Sequence, residues 1–302
     1  VTDSNIYFGN PGSLVTLPQP RGGVKTTRVR GAQVSQLGNG EVRTRRILQG
    51  SRQFTLSYET LTFDTHSTLL AFDQGHYGPG PYAFLDPGER NMLTVNQSGA
   101  TSLTNGTENF TIAGSGCSIA SSTTLTTGTP RSLAWTFNFT SPASASAVLT
   151  LDTPYQGWPG IPVVSSRPLC FACQLRGGGT DAVVSFALEL QWYDITQALL
   201  STSTGSTATT SSGAWTTASV AATPPANSVY VLPRVHYVSG ASAGSIIYLS
   251  QFMLAENTTT ETWRPGTGVY PVGILSYVDD WPWQYSTEVR SGPVLVLQQD
   301  GR

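Results

Sequence analysis

The sequence predicts an all-β protein with one short helix, and three observations predict it. Charged residues are only 11% of the 302, well under the roughly one quarter of ordinary globular chains. Gly (31), Pro (19) and abundant Ser and Thr take up the difference, and these residues build turns. Apolar and polar residues alternate in run after run, the period of a strand with one face buried.

Each element follows from local pattern. Residues 24–36 and 41–49 read as strands meeting at Leu37-Gly38-Asn39-Gly40, where Asn-Gly signals a hairpin. Phe54, Leu56 and Tyr58 alternate with Thr55, Ser57 and Glu59. Asp64 is placed to cap a short helix carrying Leu69, Leu70 and Phe72, which Gly75 would end. Tyr82–Leu85 forms a strand between Gly78-Pro79-Gly80-Pro81 and Asp86-Pro87-Gly88. Near residue 95 the composition turns to Ser, Thr, Gly and Ala, yet 133–139 and 147–151 still read as strands.

The strongest alternation comes next. Phe171, Cys173 and Leu175 form one series, and Val184, Phe186, Leu188, Leu190 and Trp192 form another. Strands are expected at 214–220, 229–238 and 246–254, with polar turns at Gly177-Gly178-Gly179, 201–213 and 239–244. Several strands with regular turns make a sandwich of jelly-roll type. Two last strands, 272–278 and 294–297, belong to a tail too short for a core of its own. The tail is therefore expected to return to the N-terminal domain. That organisation is a discontinuous domain of 1–96 and 264–302, interrupted by an inserted jelly roll, 97–263.

Composition excludes several functions. Net charge is −2 and aromatics are 10%, which is not a disordered chain nor one with nucleic acid as its main partner. No apolar run nears the roughly 20 residues of a membrane span. Cys170 and Cys173 have zinc-knuckle spacing, but positions three apart on a strand face opposite ways. No second pair completes the set, so ordinary buried cysteines and no metal are expected. The five Asn-X-Ser/Thr sequons, at Asn96, Asn105, Asn109, Asn138 and Asn257, read as chance in so Ser/Thr-rich a chain.

Catalytic patterns are equally sparse. His66, His76 and His236 are the three histidines, and no nucleophile elbow, zincin helix, Walker loop or dinucleotide fingerprint occurs. A glycosidase needs two carboxylates across a bond. Asp152, Asp181, Glu189 and Asp194 are the jelly-roll candidates, and nothing local pairs them. A non-enzyme is expected.

Aromatic and polar side chains on sheet faces remain. With Val184 to Trp192 inward, Glu189, Gln191 and Tyr193 face out; Arg234 and His236 share a face, as do Gln174 and Arg176. Tyr155 and Trp158 lie in a Pro/Gly loop from which a ring could reach ligand. The candidate carbohydrate-binding residues are thus Tyr155, Trp158, Gln191, Tyr193, Arg234 and His236. For Tyr155, Trp158 and Tyr193, packing or subunit contact is the competing role, and Trp135, Trp192 and Trp215 are assigned to the core. Eight of the 16 basic residues fall between Arg21 and Arg52. Arg28, Arg30, Arg43, Arg45 and Arg46 of this hairpin are candidates for forked contacts to carboxylates of neighbouring subunits. A nucleic-acid arm would want interleaved aromatics, which are missing there.

Two resemblances sharpen this. Gly50-Ser51-Arg52-Gln53-Phe54-Thr55-Leu56, Pro81-Tyr82-Ala83-Phe84-Leu85-Asp86-Pro87 and Trp263-Arg264-Pro265-Gly266 resemble distal tail and minor tail proteins of siphophages infecting actinobacteria. Pro168-Leu169-Cys170-Phe171-Ala172-Cys173-Gln174-Leu175-Arg176-Gly177 and Ala187-Leu188-Glu189-Leu190-Gln191-Trp192-Tyr193-Asp194 resemble the carbohydrate-binding jelly rolls of bacterial xylanases. The first resemblance implies a tail-tube-like β-sandwich or barrel domain forming a homohexameric ring. The ring would contact the tail tube protein, the tape measure and other tail-tip proteins, at the distal end of a phage tail made in the host cytoplasm. The second implies contact with host cell-wall glycan. That family's calcium site has no residue-by-residue match, so no cofactor is expected and calcium stays open. The alternative is a stand-alone glycan-binding module, secreted or displayed; no signal-peptide pattern opens the chain, which favours the tail expectation.

Overall fold

The computed structural model describes residues 5–29, 32–36, 42–46, 51–86, 91–100, 110–114, 116–122, 132–137, 147–152, 157–178, 183–210, 213–266, 268–278 and 289–299. The protein is all-β in class, and the chain divides into two compact units: residues 1–86 with 270–302, and residues 87–269. The divisions fall at 86/87 and 269/270, so 87–96 and 264–269 go with the inserted unit and not, as composition suggested, with the flanking one.

The first unit begins with β1 (Ile6–Asn10), β2 (Ser13–Leu17), β3 (Lys25–Val29), β4 (Ala32–Gln36), β5 (Val42–Arg46), β6 (Ser51–Ser57), β7 (Thr60–Thr62), α1 (Phe63–Asp73) and β8 (Tyr82–Leu85). The second unit holds α2 (Val95–Ser98), β9 (Phe110–Ala113), β10 (Cys117–Ser122), β11 (Ser132–Phe137), β12 (Val148–Leu151), β13 (Ile161–Pro162), β14 (Leu169–Gly178) and β15 (Ser185–Tyr193). It continues through β16 (Leu199–Thr204), β17 (Ala208–Thr209), β18 (Thr216–Ala222), β19 (Tyr230–Ser239) and β20 (Ser245–Ala255). The chain then returns to the first unit as β21 (Tyr270–Val278), β22 (Val289–Ser291) and β23 (Val294–Gln299).

In the first unit one seven-stranded sheet runs β2-β1-β8-β21-β23-β6-β3. The returning strands β21 and β23 sit at its centre, which is why neither sequence segment could form a core alone. Phe8, Phe54, Leu56, Phe84, Val272 and Leu297 are among the buried residues of that core. Helix α1 adds Leu69 and Phe72, the Phe72 ring meeting Phe8 edge-on at 5.1 Å. The helix is capped two residues earlier than expected. Thr62, not Asp64, is the N-cap: its hydroxyl accepts from the Thr65 N–H at 3.3 Å, and Asp64 sits inside the first turn. Of the three apolar residues expected on this helix, Leu69 and Phe72 are buried and Leu70 is exposed. A second helix, α2, adds to the one expected.

Beyond β3 and β6 the chain runs on as β4 and β5, which pair only with each other among the described residues, in the register Ala32↔Arg46 to Gln36↔Val42. The turn of this hairpin lies outside the described residues.

The second unit is an antiparallel sandwich of jelly-roll type. One sheet runs β10-β11-β20-β14-β18; the other runs β16-β15-β19-β12-β9, with β13 added to β19 and β17 to β15. Alternation puts Phe171, Cys173 and Leu175 of the first sheet against Phe186, Leu188 and Trp192 of the second, all at most 1% exposed. Trp135 and Phe186 meet across the gap at 5.5 Å between ring centroids. Trp215, assigned to the core, is only partly buried.

Two segments read as turns are strands. Residues 201–213 contain most of β16 and all of β17. As an edge strand β16 has both faces near water, so nothing demands apolar alternation and Ser and Thr fill it. Gly177 and Gly178, read as part of a turn, are the last residues of β14, paired with Ile247 and Ile246.

Candidate functional site

Each sheet of the sandwich has one face inward and one outward, and the site question is what the outward faces carry. On the seven-stranded sheet, pairing places Glu189 opposite Thr204 on one side and Arg234 on the other, with Arg234 opposite Thr150 and Thr150 opposite Thr111. Directly paired residues point to the same side, so one polar row crosses five strands. The next row holds Ala187, His236 and Val148. Gln191 and Tyr193 continue along β15, the Tyr193 hydroxyl donating to Gln191 Oε1 at 2.9 Å.

Glu189 is the unusual member. Parity turns it outward, yet it is 8% exposed. Its Oε1 lies 3.0 Å from His236 Nδ1 and its Oε2 3.6 Å from Arg234 Nε. A carboxylate withdrawn from water needs such partners. At 3.6 Å the arginine contact is an ion pair without a hydrogen bond, and Arg234 Nε is buried with no hydrogen-bond partner.

On the five-stranded sheet the outward face has two halves. At one end Cys170, Met253 and Ala255 are covered, each 4% exposed. At the other, Gln174, Arg176 and Tyr248 are partly exposed, with Arg176 opposite Tyr248 and Tyr248 opposite Ala134. Here Gly178 matters. A Cβ at Gly178 would lie 2.5 Å from Tyr248 Cε2 and 3.2 Å from Cζ. The tyrosine ring therefore leans over bare backbone, a position only glycine permits without moving it. Arg176 Nε is buried without a hydrogen-bond partner, and Gln174 Nε2 donates to Thr217 Oγ1 at 2.9 Å. A bulge sets this geometry: β14 and β20 slip register between Ala172 and Gln174, and Gln251 takes φ +53°. The extra residue keeps Leu249, Phe252 and Leu254 all inward while Tyr248 and Met253 face out.

Of the expected carbohydrate contacts, Gln191, Tyr193, Arg234 and His236 share the outward face of the seven-stranded sheet. Trp158 is 9% exposed, a correction to the expectation that its ring reaches out of a loop: that face is taken up in packing. Tyr155 lies outside the described residues, as does Arg30. Arg28 lies in β3 and Arg43, Arg45 and Arg46 in β5, and their side chains are likewise outside the described residues. Sequence reasoning passed over Tyr248, whose neighbours Gly178 and Arg176 come from β14. The signal available was a tyrosine among apolar residues in β20.

Among the described residues, which leave out Asp181, neither face brings two carboxylates to bear on one bond. Glu189 is held by His236 and Arg234, and Asp152 accepts from the Thr111 hydroxyl. Asp194 closes its own turn, Oδ1 accepting from Thr196 N–H at 2.8 Å and Ala198 N–H at 2.9 Å; hydrogen bonding from the Thr196 side chain, then from the Ala198 backbone, holds its carboxyl below the usual range. Among the described residues no group of three His, Cys, Asp or Glu could hold a metal ion.

No known family profile matches the chain, and no curated protein does. Solved structures show partial likeness. The C-terminal family 22 carbohydrate binding module of Clostridium thermocellum Xyn10B is 15% identical, with 51% of this chain and 90% of that one covered at a TM-score of 0.38. The CBM22-1 xylan-binding domain of Paenibacillus barcinonensis Xyn10C is 9% identical over 51% of this chain and 89% of its own, TM-score 0.36. The enzymatically active domain of bacteriophage CBA120 tailspike protein 4 is 10% identical over 57% of this chain and 22% of its own, TM-score 0.39. The structures that share this partial likeness thus include both carbohydrate-binding modules and a domain of an enzyme. The likeness is one of fold and extends no further.

Proposed function

We propose that the protein is a non-catalytic glycan-binding protein that seats a sugar chain on the open half of the outer face of its five-stranded sheet. The observation that carries this is the Tyr248 ring leaning over Gly178 beside Arg176. A sugar ring packs its C–H face on an aromatic ring and needs fixed donors at its edge. Arg176, partly exposed, brings guanidinium donors, and Gln174 an amide. The test is affinity electrophoresis and calorimetry on a panel of soluble glycans: xylan, β-glucan, galactan and cell-wall fragments. Tyr248→Ala should weaken binding about tenfold or more, the scale of one lost packing contact of about 1.4 kcal/mol. Unchanged affinity with unchanged stoichiometry overturns the site, and reducing ends released from the bound glycan overturn the non-catalytic reading.

A second reading concerns where such a protein works. The β4–β5 ribbon pairs only with itself among the described residues, and a lone two-stranded ribbon is marginal in water, so it suits a device that is completed by a partner. On that reading the chain is a distal tail or minor tail protein of a phage. Copies form a ring at the tail tip, most simply a hexamer, through Arg28, Arg30, Arg43, Arg45 and Arg46, and present the inserted unit to host cell-wall glycan. Light scattering with negative-stain imaging decides: rings support it, and a monomer at high concentration leaves the stand-alone module.

A further inference from the structure

We infer that the sandwich has a second glycan-binding face, on the seven-stranded sheet, built around Glu189, Arg234 and His236 and suited to uncharged sugars with neighbouring hydroxyls. The inference rests on the reading of this unit as glycan-binding and adds to it a separate site.

Parity alone does not ask for a carboxylate at Glu189. It faces outward, so an alanine or threonine would fill the position, as Ala187 and Thr150 do nearby. A carboxylate there loses hydration and must be compensated. The compensation is incomplete: His236 Nδ1 is at 3.0 Å, but Arg234 Nε stays at 3.6 Å, buried and without a hydrogen bond. The side chains of Glu189, Arg234 and His236 are 11%, 21% and 32% exposed, an opening that widens from the carboxylate outward. An acceptor and a guanidinium thus sit side by side, the guanidinium with its Nε closed to solvent and the rest of its side chain partly open.

That pair matches two adjacent sugar hydroxyls, one donating to Glu189 and the other accepting from Arg234, both charge-assisted. Charge selects the ligand class. An anionic sugar would meet Glu189 and, at the Thr111 end of the row, Asp152. A cationic one would meet Arg234. A neutral one meets neither penalty. Tyr193, tied to Gln191 at 2.9 Å, supplies an aromatic edge further along β15.

This face and the Tyr248 face are on opposite sides of one sandwich, because Trp135 of one sheet and Phe186 of the other fill the core between them. Each copy would then bridge two glycan chains, and it would cloud a soluble polysaccharide instead of only binding it.

The experiment uses the full chain with the tightest-binding neutral polysaccharide of xylan, β-glucan and galactan, read by calorimetric stoichiometry and turbidity. The proteins are wild type, Tyr248→Ala, Glu189→Gln, Tyr193→Ala and the Tyr248→Ala/Glu189→Gln double variant, with unfolding curves to confirm each fold. The expected result is turbidity with wild type only, binding without turbidity for each single-face variant, and no binding for the double variant. Tyr193→Ala should weaken the second face several-fold, which keeps the test valid if Glu189→Gln fails to fold. Loss of all binding in Tyr248→Ala overturns the second face and leaves the first standing. Loss of all binding in Glu189→Gln with none in Tyr248→Ala supports this face and overturns the other. No binding of wild type to any polysaccharide overturns both.

Discussion

Asn91 Nδ2 donates to the backbone carbonyl of Arg264 at 2.8 Å, joining the residues that lead into the inserted unit to those that lead out of it. The same amide donates to the Phe252 carbonyl at 3.1 Å, and Asn91 Oδ1 accepts from the Leu93 and Leu254 N–H groups, both at 3.2 Å. At 1% exposure the side chain fills its hydrogen-bonding capacity with backbone from three segments. It is a latch that closes the unit where β20 ends.

Removing that latch takes the Asn91 partner from four backbone groups, three in buried contacts and one part-buried, and a buried group left unmade costs about 1–3 kcal/mol. Asn91→Ala should therefore destabilise the second unit by about 3 kcal/mol, and Asn91→Asp by at least as much, because a carboxylate would face the two carbonyls. Urea unfolding followed by tryptophan fluorescence measures this. A change within about 0.5 kcal/mol, the scatter of ordinary surface substitutions, would show that the four bonds are dispensable.

Gly178→Ala tests the aromatic platform without touching the aromatic. The new methyl would come within 2.5 Å of Tyr248 Cε2 and 3.1 Å of the Ile246 carbonyl oxygen. The ring must swing away, which a surface tyrosine does cheaply. Glycan affinity should fall about as far as in Tyr248→Ala, roughly tenfold, while thermal stability changes little. Retained affinity with a displaced ring would remove the platform from the binding account.

Glu256 follows β20, and burial, partly offset by the charge of Arg167, pushes its carboxyl up. The folded state then binds the proton more tightly than the unfolded state, whose glutamates titrate near about 4.3. Stability from this group is present at low pH and is lost as pH rises through the folded value. Glu256→Gln should raise the Tm at pH 7, and the gain should shrink towards pH 4. A gain that is the same at both pH values would assign it to something other than ionisation.

The cysteines give a reporter for unfolding. Cys170 and Cys173 are 4% and 1% exposed, and burial pushes both thiols up, Cys173 furthest. Only thiolate reacts, so both should resist iodoacetamide in the native protein and react as the unit opens. Cys117 is partly exposed and should be modified first. Peptide mapping by mass spectrometry after a timed pulse reads the order. Native labelling of Cys173 at the rate of Cys117 would contradict the packing around β14.

The patterning of particular strands was plain in the sequence. In β15 the inward set from Val184 to Trp192 and the outward set of Glu189, Gln191 and Tyr193 follow from period-two alternation alone, because one face must be buried and the other need not be. The same reasoning fails at β16, whose polar edge carries no alternation, and at Gly178, where a glycine that reads as a turn is the floor under a tyrosine. It fails also at Trp158, where loop composition says nothing of what packs on the ring.

The sequence by itself determined the all-β class, the inward and outward faces of the central strands, and the pairing of Arg234 with His236 on one face. Only the tertiary structure decided which strands are neighbours. Register between β15 and β19 brings Glu189 to Arg234, and a bulge between β14 and β20 brings Tyr248 over Gly178. Local alternation is set by each strand's own burial. Register between strands far apart in the chain is set by hydrogen bonds and packing that exist only once the sheets have formed.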